Sequence, residues 1–214
     1  MKSNNIKITV ALLLVMSCAT MRAQKASELL ASMPDSILPT LTKNNRLDFI
    51  DFISSNMKAE VTNRLNGKTT VTRLTDDDCM IDISELTHIQ ISILNTTDKP
   101  VVMFIHSSKI GAWDSDIQFY TTEWKRLATN DFITLPQTED FIEKSDTLAD
   151  FQYENILTKA ANALLDAKYD TETKTLTLNF TSSNADVDDF KRVVLPHVKP
   201  TISYQWAEGK FTRR

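Results

Sequence analysis

An α+β fold, a largely antiparallel β-sheet meander with flanking helices, follows from three features of the chain. Apolar residues recur at helical spacing up to about residue 65. They switch to a period of two between Thr69 and Tyr120, and then alternate between the two periods to the carboxyl end. The links between the central strand candidates are short and turn-rich, which favours an antiparallel meander over parallel crossovers.

The first helical turn runs from Ser27 to Met33 and is stopped by Pro34. Leu47, Ile50 and Ile53 then repeat at helical spacing, with Phe49 and Phe52 widening the stripe of an amphipathic helix. Met57, Val61 and Leu65 continue at i, i+4 and i+8. A second helical stretch ending at Asn66-Gly67 is therefore preferred over a hairpin turned at that same pair.

Strands are expected at Thr70–Leu74, Cys79–Ile83, Ile89–Leu94, Val101–Ser107 and Ile117–Tyr120. Cys79, Ile81 and Ile83 alternate with polar residues, as do Ile89, Ile91 and Ile93, so the intervening Asp82, Gln90 and Ser92 are expected to face water. Val101 to Ile105 is apolar on both sides, which implies a central strand covered on both faces, with a helix on one of them. After an irregular stretch around Pro136, Asp150–Leu165 returns to helical spacing. A hairpin of Ala167–Tyr169 and Thr175–Phe180 follows around a polar turn. Asn184 is placed to cap a helix buried through Val187, Phe190 and Val194, which Pro196 and Pro200 end. Thr201–Trp206 is the last strand, with Glu208-Gly209 as a turn before Phe211.

The amino terminus carries Lys2 and Lys7 and no acid, followed by nine residues, Ile8–Met16, with a single hydroxyl. That is a signal-peptide pattern and falls short of the roughly 20 apolar residues needed to span a bilayer. Residues 1–23 are read as a cleavable signal, cut before Thr20 or Gln24, and residues 24–214 as a single α+β domain. Two subdomains meeting near residues 136–150 are the alternative division. At Cys18 the alternative is lipidation, since Val15–Cys18 looks like a degraded lipobox. The expected location is the periplasm or cell envelope, or secretion, with no transmembrane span.

Removing the signal removes three of the 24 basic residues and none of the 28 acidic ones, so the remainder carries a net charge of about −7. This excess of acid, with no basic cluster longer than the pair Arg213-Arg214, argues against nucleic-acid binding. About 190 residues can bury roughly 70% of the unfolded surface. Only Cys79 remains of the two cysteines, so stability has to come from packing. Three glycines, Gly67, Gly111 and Gly209, stand far apart, and no phosphate-cradling loop or nucleophile elbow can be written from them.

Cys79 could act as a nucleophile only with a base such as His88, His106 or His197 beside it. Its place among Ile81 and Ile83 favours a core residue. The histidines have no metal-ligand spacing, and no cofactor is expected. Asp76–Asp78, Asp114 with Asp116, and Asp186 with Asp188 and Asp189 lack the glycine and distal glutamate of a calcium loop. Trp113 and Trp124 fall in connecting segments, where they could stack on a sugar or anchor a peptide; closing the ends of the core is the commoner role.

Met33–Pro39, Thr42–Asp48 and Met57–Leu65, with Thr75–Asp77, Phe119-Tyr120, Leu195–Pro200 and Tyr204 to Trp206, resemble a family of uncharacterised exported Bacteroidales proteins, a domain of unknown function. The resemblance implies an envelope or exported location and carries no activity, substrate or catalytic residue. The function expected on these grounds is a non-catalytic envelope binding or interaction protein, its partner an unknown protein, peptide or glycan. An envelope hydrolase built on scattered carboxylates or Cys79 is the alternative. Carriage of a small apolar ligand is the third reading.

Overall fold

The structure is a computed structural model that describes residues 24–214. The export signal, its cleavage sites and Cys18 lie outside the described residues. Four α-helices and two antiparallel sheets are present among them: α1 (Ala26–Ser32), α2 (Lys43–Ser54), α3 (Asp150–Ala160) and α4 (Asp188–Val193). The larger sheet is a seven-stranded meander in chain order: β1 (Glu60–Thr62), β2 (Lys68–Leu74), β3 (Asp78–Ser84), β4 (Thr87–Leu94), β5 (Val101–Ile110), β6 (Ala112–Thr121) and β7 (Arg126–Leu127). The smaller sheet has the order β11-β10-β9-β8, from β8 (Leu164–Asp170), β9 (Thr175–Thr181), β10 (Thr201–Ala207) and β11 (Lys210–Arg213). The fold is α+β with a largely antiparallel sheet.

Strand β5 shows how the layers stack. Val101 to Ile105 are all buried. Val102 and Phe104 point into a core with Leu29 and Leu30 of α1, Phe49 of α2, and Cys79, Ile81, Ile89 and Ile91. Val101, Met103 and Ile105 point the other way, into a second core with Leu176, Leu178, Ile202 and Phe211 of the smaller sheet. The two-sided apolar run thus has helices on one face, as its pattern implies, and a second sheet on the other. Aromatic rings fill that second core. Phe119 stacks on Phe132 at 4.7 Å, and Trp206 meets Phe211 edge-on at 4.8 Å. A third cluster joins Ile156 and Ala160 of α3 to Phe190 and Val194.

Helix α2 starts at Thr42, whose hydroxyl accepts from the Asn45 amide at 3.1 Å while the Asn45 side chain accepts from the Thr42 amide at 3.0 Å. Its buried face differs from the expected stripe. Leu47 is exposed, while Phe49 is buried, Ile50, Phe52 and Ile53 pack partly buried against the same core, and Arg46, which is 1% exposed, joins the inner face. The guanidinium satisfies carbonyls that the irregular segment after α1 would otherwise leave unpaired. It donates to Leu30 O at 3.1 Å, to Leu41 O at 2.9 Å and to Met33 O, and ion-pairs with Asp35 at 3.0 Å. Asp35 also pairs with Arg64 at 2.6 Å, and the guanidinium of Arg46 foremost holds its carboxyl below the usual range.

Three further expectations are corrected. The second helical stretch over Met57–Leu65 is the hairpin β1–β2. Met57 and Leu65 are 59% and 74% exposed, and of the apparent stripe only Val61 reaches the core, as a strand residue of β1. The Asn63 side chain instead accepts from the amides of Leu65 at 2.9 Å and Gly67 at 3.1 Å, building a turn in which Asn66 takes φ 62°. Helix α3 ends at Ala160 and not near Leu165, because Leu164 and Leu165 pair with Thr181 and Phe180 at the start of β8. Helix α4 begins after Val187, which is exposed, and Asn184 does not cap it; the Asn184 amide donates to Ser182 Oγ at 3.1 Å in a preceding turn. The last hairpin closes through Glu208 and Gly209, both at positive φ, between the paired Ala207 and Lys210.

Candidate binding groove

Period-two geometry sets three rows of side chains across β3, β4, β5 and β6 on the face turned away from α1 and α2. Pairing gives Asp78–Ser92–Met103–Phe119, Met80–Gln90–Ile105–Ile117 and Asp82–His88–Ser107–Ser115. The first two rows are apolar toward β6, where the smaller sheet covers them, and polar at β4, while the third is polar throughout. The smaller sheet stops at β8. Beyond the outer edge of β8 a groove runs across the polar half of these rows.

One end of the groove, about 540 Å³, lies between Arg73, Thr75, Tyr169 and Asp170. The middle, about 250 Å³, is walled by Met80, His88, Trp113, Asp166 and Lys168. His88 also borders a shallow shelf over Thr70, Thr72 and Asp82, of about 390 Å³. Met80, Gln90 and Lys168 line both of the first two spaces, so they adjoin.

Side chains of the larger sheet occupy the outer edge of β8. The Leu165 amide donates to Asp114 Oδ1 at 3.4 Å, the Ala167 amide to Ser115 Oγ at 2.9 Å, and the Tyr169 amide to Gln90 Oε1 at 3.2 Å. Gln90 Nε2 donates to Tyr169 O and to Asp78 Oδ1, both at 2.8 Å, so one amide clamps the two sheets. An edge capped in this way is not open to pairing with another strand. The expectation that Gln90 and Ser92 face water is therefore overturned. Both are buried, since the smaller sheet lies over them, and Asp82 keeps only partial cover.

The cations of the groove are matched by acids within it, and Asp170 and Glu172 add acid at one end. Asp78, fully buried, accepts from Ser92 Oγ at 2.7 Å and from Arg73 Nε at 2.7 Å. Lys168 pairs with Asp166 at 3.1 Å, and His88 Nδ1 sits 2.8 Å from Asp82 Oδ1. The His88 ring lies against the Trp113 indole with centroids 4.7 Å apart and planes 30° apart. Burial foremost, then Asp77, Asp78 and Asp170, push the Tyr169 hydroxyl up to about 12, so it stays protonated at neutral pH.

Of the sequence candidates, Trp113 reaches the groove and Trp124 does not. Trp124 is 7% exposed, packs on Tyr120 at 5.5 Å and donates from Nε1 to Leu29 O at 3.2 Å, closing the core above α1. Cys79 lies in the helix-covered core, opposite Leu74 and Ile91, and burial pushes its thiol up. The histidines do not converge: His88 borders the groove, His106 stands exposed opposite Ile89, and His197 ends a 3-10 turn.

Ser107 shares a row with His88, but its hydroxyl bonds Ser115 Oγ at 2.7 Å. The acidic runs are spent locally. Asp76 pairs with Lys25 at 2.9 Å, Asp189 with Lys159 at 2.5 Å and Arg192 at 3.1 Å, and Asp116 accepts from Gln118. Among the described residues no group of three or more His, Cys, Asp or Glu side chains is arranged to hold a metal ion, and no helix is long and apolar enough to cross a membrane. Arg73, Met80, Gln90 and Lys168 were not foreseen as groove residues. Their only signal is the polar half of the strand alternation.

No curated protein matches the chain. A solved structure, a domain of an uncharacterized protein from Porphyromonas gingivalis W83, is similar to it in fold. The TM-score is 0.78 at 24% identity, over 90% of this chain and 99% of that one. The family described as "protein of unknown function (DUF3256)" matches residues 18–211, nearly the whole described chain, so the chain belongs to the DUF3256 family.

Proposed function

We propose that this chain is an exported binding protein of the cell envelope, folded as one unit from about residue 24, that holds part of a larger envelope component in the groove beside β8. The single observation that carries the reading is the groove itself: an open, partly apolar channel walled by Met80, Trp113 and Lys168 and floored by a buried network that fixes its shape. Preformed concave sites with a few fixed polar groups are where ligands bind. The export pattern at residues 1–23 supports the envelope location. Burial of Cys79 weighs against the thiol version of a hydrolase. The open form of the space favours a piece of a chain-like ligand over an enclosed apolar molecule.

Hydrogen exchange of the purified protein, with and without isolated cell-envelope fractions, tests this reading. Protection is expected on β3, β4 and β8 and nowhere on α3 or α4. Protection confined to other surfaces, or none with any fraction, would contradict it. Fractionation of cells and the intact mass of the exported protein test the location and distinguish a cut before Thr20 or Gln24 from lipidation at Cys18.

A further inference from the structure

We infer that the occupant of the groove is an uncharged oligosaccharide, stacked on the Trp113 and His88 wall; this rests on the groove being the binding site. Three observations select that chemistry over a peptide strand or a charged polymer.

The first is the state of the β8 edge. A peptide gains affinity in a sheet-edge groove chiefly by adding a strand through main-chain hydrogen bonds. Here the outward amides of Leu165, Ala167 and Tyr169 are already held by Asp114, Ser115 and Gln90. Strand addition would first have to break those bonds, leaving buried Gln90 with Asp78 as its one remaining partner.

The second is charge. Arg73 pairs with Asp78, Lys168 with Asp166 and His88 with Asp82. Each cation facing the groove is neutralised by an acid beside it, and Asp170 and Glu172 add further acid at one end, so a polyanion finds no excess positive charge and would have to displace an existing partner. The same paired groups still offer directional donors and acceptors to hydroxyls.

The third is shape. From Asp166 to Asp170 the β8 wall runs for about 14 Å at roughly 3.4 Å per residue. That holds a short extended oligomer. Trp113 and His88 form an aromatic wall in its middle, with Met80 across the floor. Sugar rings present C–H groups on their faces and hydroxyls at their rims, matching an apolar wall rimmed by Asp82, Asp166 and Lys168.

The test titrates the folded protein, isotopically labelled, with cellotetraose, mannotetraose, xylotetraose, maltotetraose and chitotetraose. A neutral tetrapeptide and tetragalacturonate serve as the peptide and charged probes. At least one neutral sugar is expected to bind with Kd of about 1 mM or tighter, shifting amides of β3, β4 and β8 and the Trp113 indole N–H. Its affinity is expected to stay within about twofold between low and high salt, because no net charge is neutralised. Trp113→Ala is expected to weaken it at least about tenfold, and Trp113→Phe to retain part of it.

If Trp113→Ala does not fold, the shift of the Trp113 indole in the wild-type titration decides alone. Silence from all five sugars, tighter binding of the peptide or the galacturonate, or sugar binding that leaves the indole unmoved overturns the inference. Failure of the sugars together with envelope-induced protection of β3, β4 and β8 removes the sugar and leaves the groove reading standing; absence of both removes the groove reading as well.

Discussion

Gln90 offers the sharpest test of how the groove is held open. Its side-chain amide makes three bonds, two across to the smaller sheet at Tyr169 N and Tyr169 O and one within its own sheet to Asp78 Oδ1, within 3.2 Å in every case. Gln90→Met keeps nearly the same volume and removes all three. Asp78 keeps Ser92 and Arg73 as donors, so its loss is partial. The amide and carbonyl of Tyr169 lose their partners outright, at about 1–3 kcal/mol each where water cannot replace them. Because water can enter from the groove side, the lower part of that range applies, and a total loss of about 2–4 kcal/mol is expected. For a chain of this length that corresponds to roughly 4–16 °C in Tm.

Urea unfolding gives the global figure, and exchange of the Tyr169 amide gives the local one. Gln90→Glu keeps an acceptor for that amide but turns a carboxylate toward Asp78, so it should be at least as destabilising at neutral pH and recover on acidification as the pair takes up a proton. A loss below about 0.5 kcal/mol with unchanged Tyr169 exchange in Gln90→Met would refute the clamp.

Arg46→Met and Arg46→Lys should each lower stability by about 3–5 kcal/mol, because three carbonyls and Asp35 lose a buried guanidinium that an ammonium cannot replace; near-neutral unfolding curves would contradict the role given to it. Trp124→Ala should cost about 3–5 kcal/mol, since its indole fills the core above α1. Trp113→Ala should cost at most about 1–2 kcal/mol in the same measurement, since that indole is only half-buried beside the groove. Hydrogen bonds from Lys58 and Lys68 hold the Glu60 carboxyl down to about 2 from its ordinary 4.5. Its contribution is present above pH 4.5 and lost as pH falls toward about 2, so Glu60→Gln should lessen the acid-induced fall in stability across that window. The Cys79 thiol should resist a thiol reagent in the native protein and react fully in denaturant; rapid native labelling would show that the core around it opens.

Much of the layering is written in local pattern. The alternation in β3 and β4 and the two-sided apolar run in β5 depend on neighbours in sequence, and they appear where the pattern puts them. Misreadings arise where a distant segment decides. Gln90 and Ser92 read as solvent-facing because alternation tells which residues share a face but not what covers it; their cover comes from Tyr169 and its sheet, 79 positions along the chain from Gln90. Leu47 reads as core and is exposed, while Arg46 beside it, outside the apolar stripe, is buried. Only the folded course of Leu30 to Leu41 reveals three carbonyls and the Asp35 carboxylate that need its donors. The hairpin at Asn63 was hidden by an accidental helical spacing, although Asn63 and Asn66 both favour turns. At the groove, Trp113 reads as an aromatic of a connecting segment but lies on β6, paired with Lys109, and its stacking on His88 depends on the register of β4, β5 and β6.

The central claim is that the groove beside β8 meets the partner, and a photo-crosslinking residue placed there in living cells tests it most directly. Substituted at exposed Lys168, the probe should form ultraviolet-dependent adducts; at Phe151, exposed on α3, it should not. Adducts at Phe151 with none at Lys168 would contradict the account.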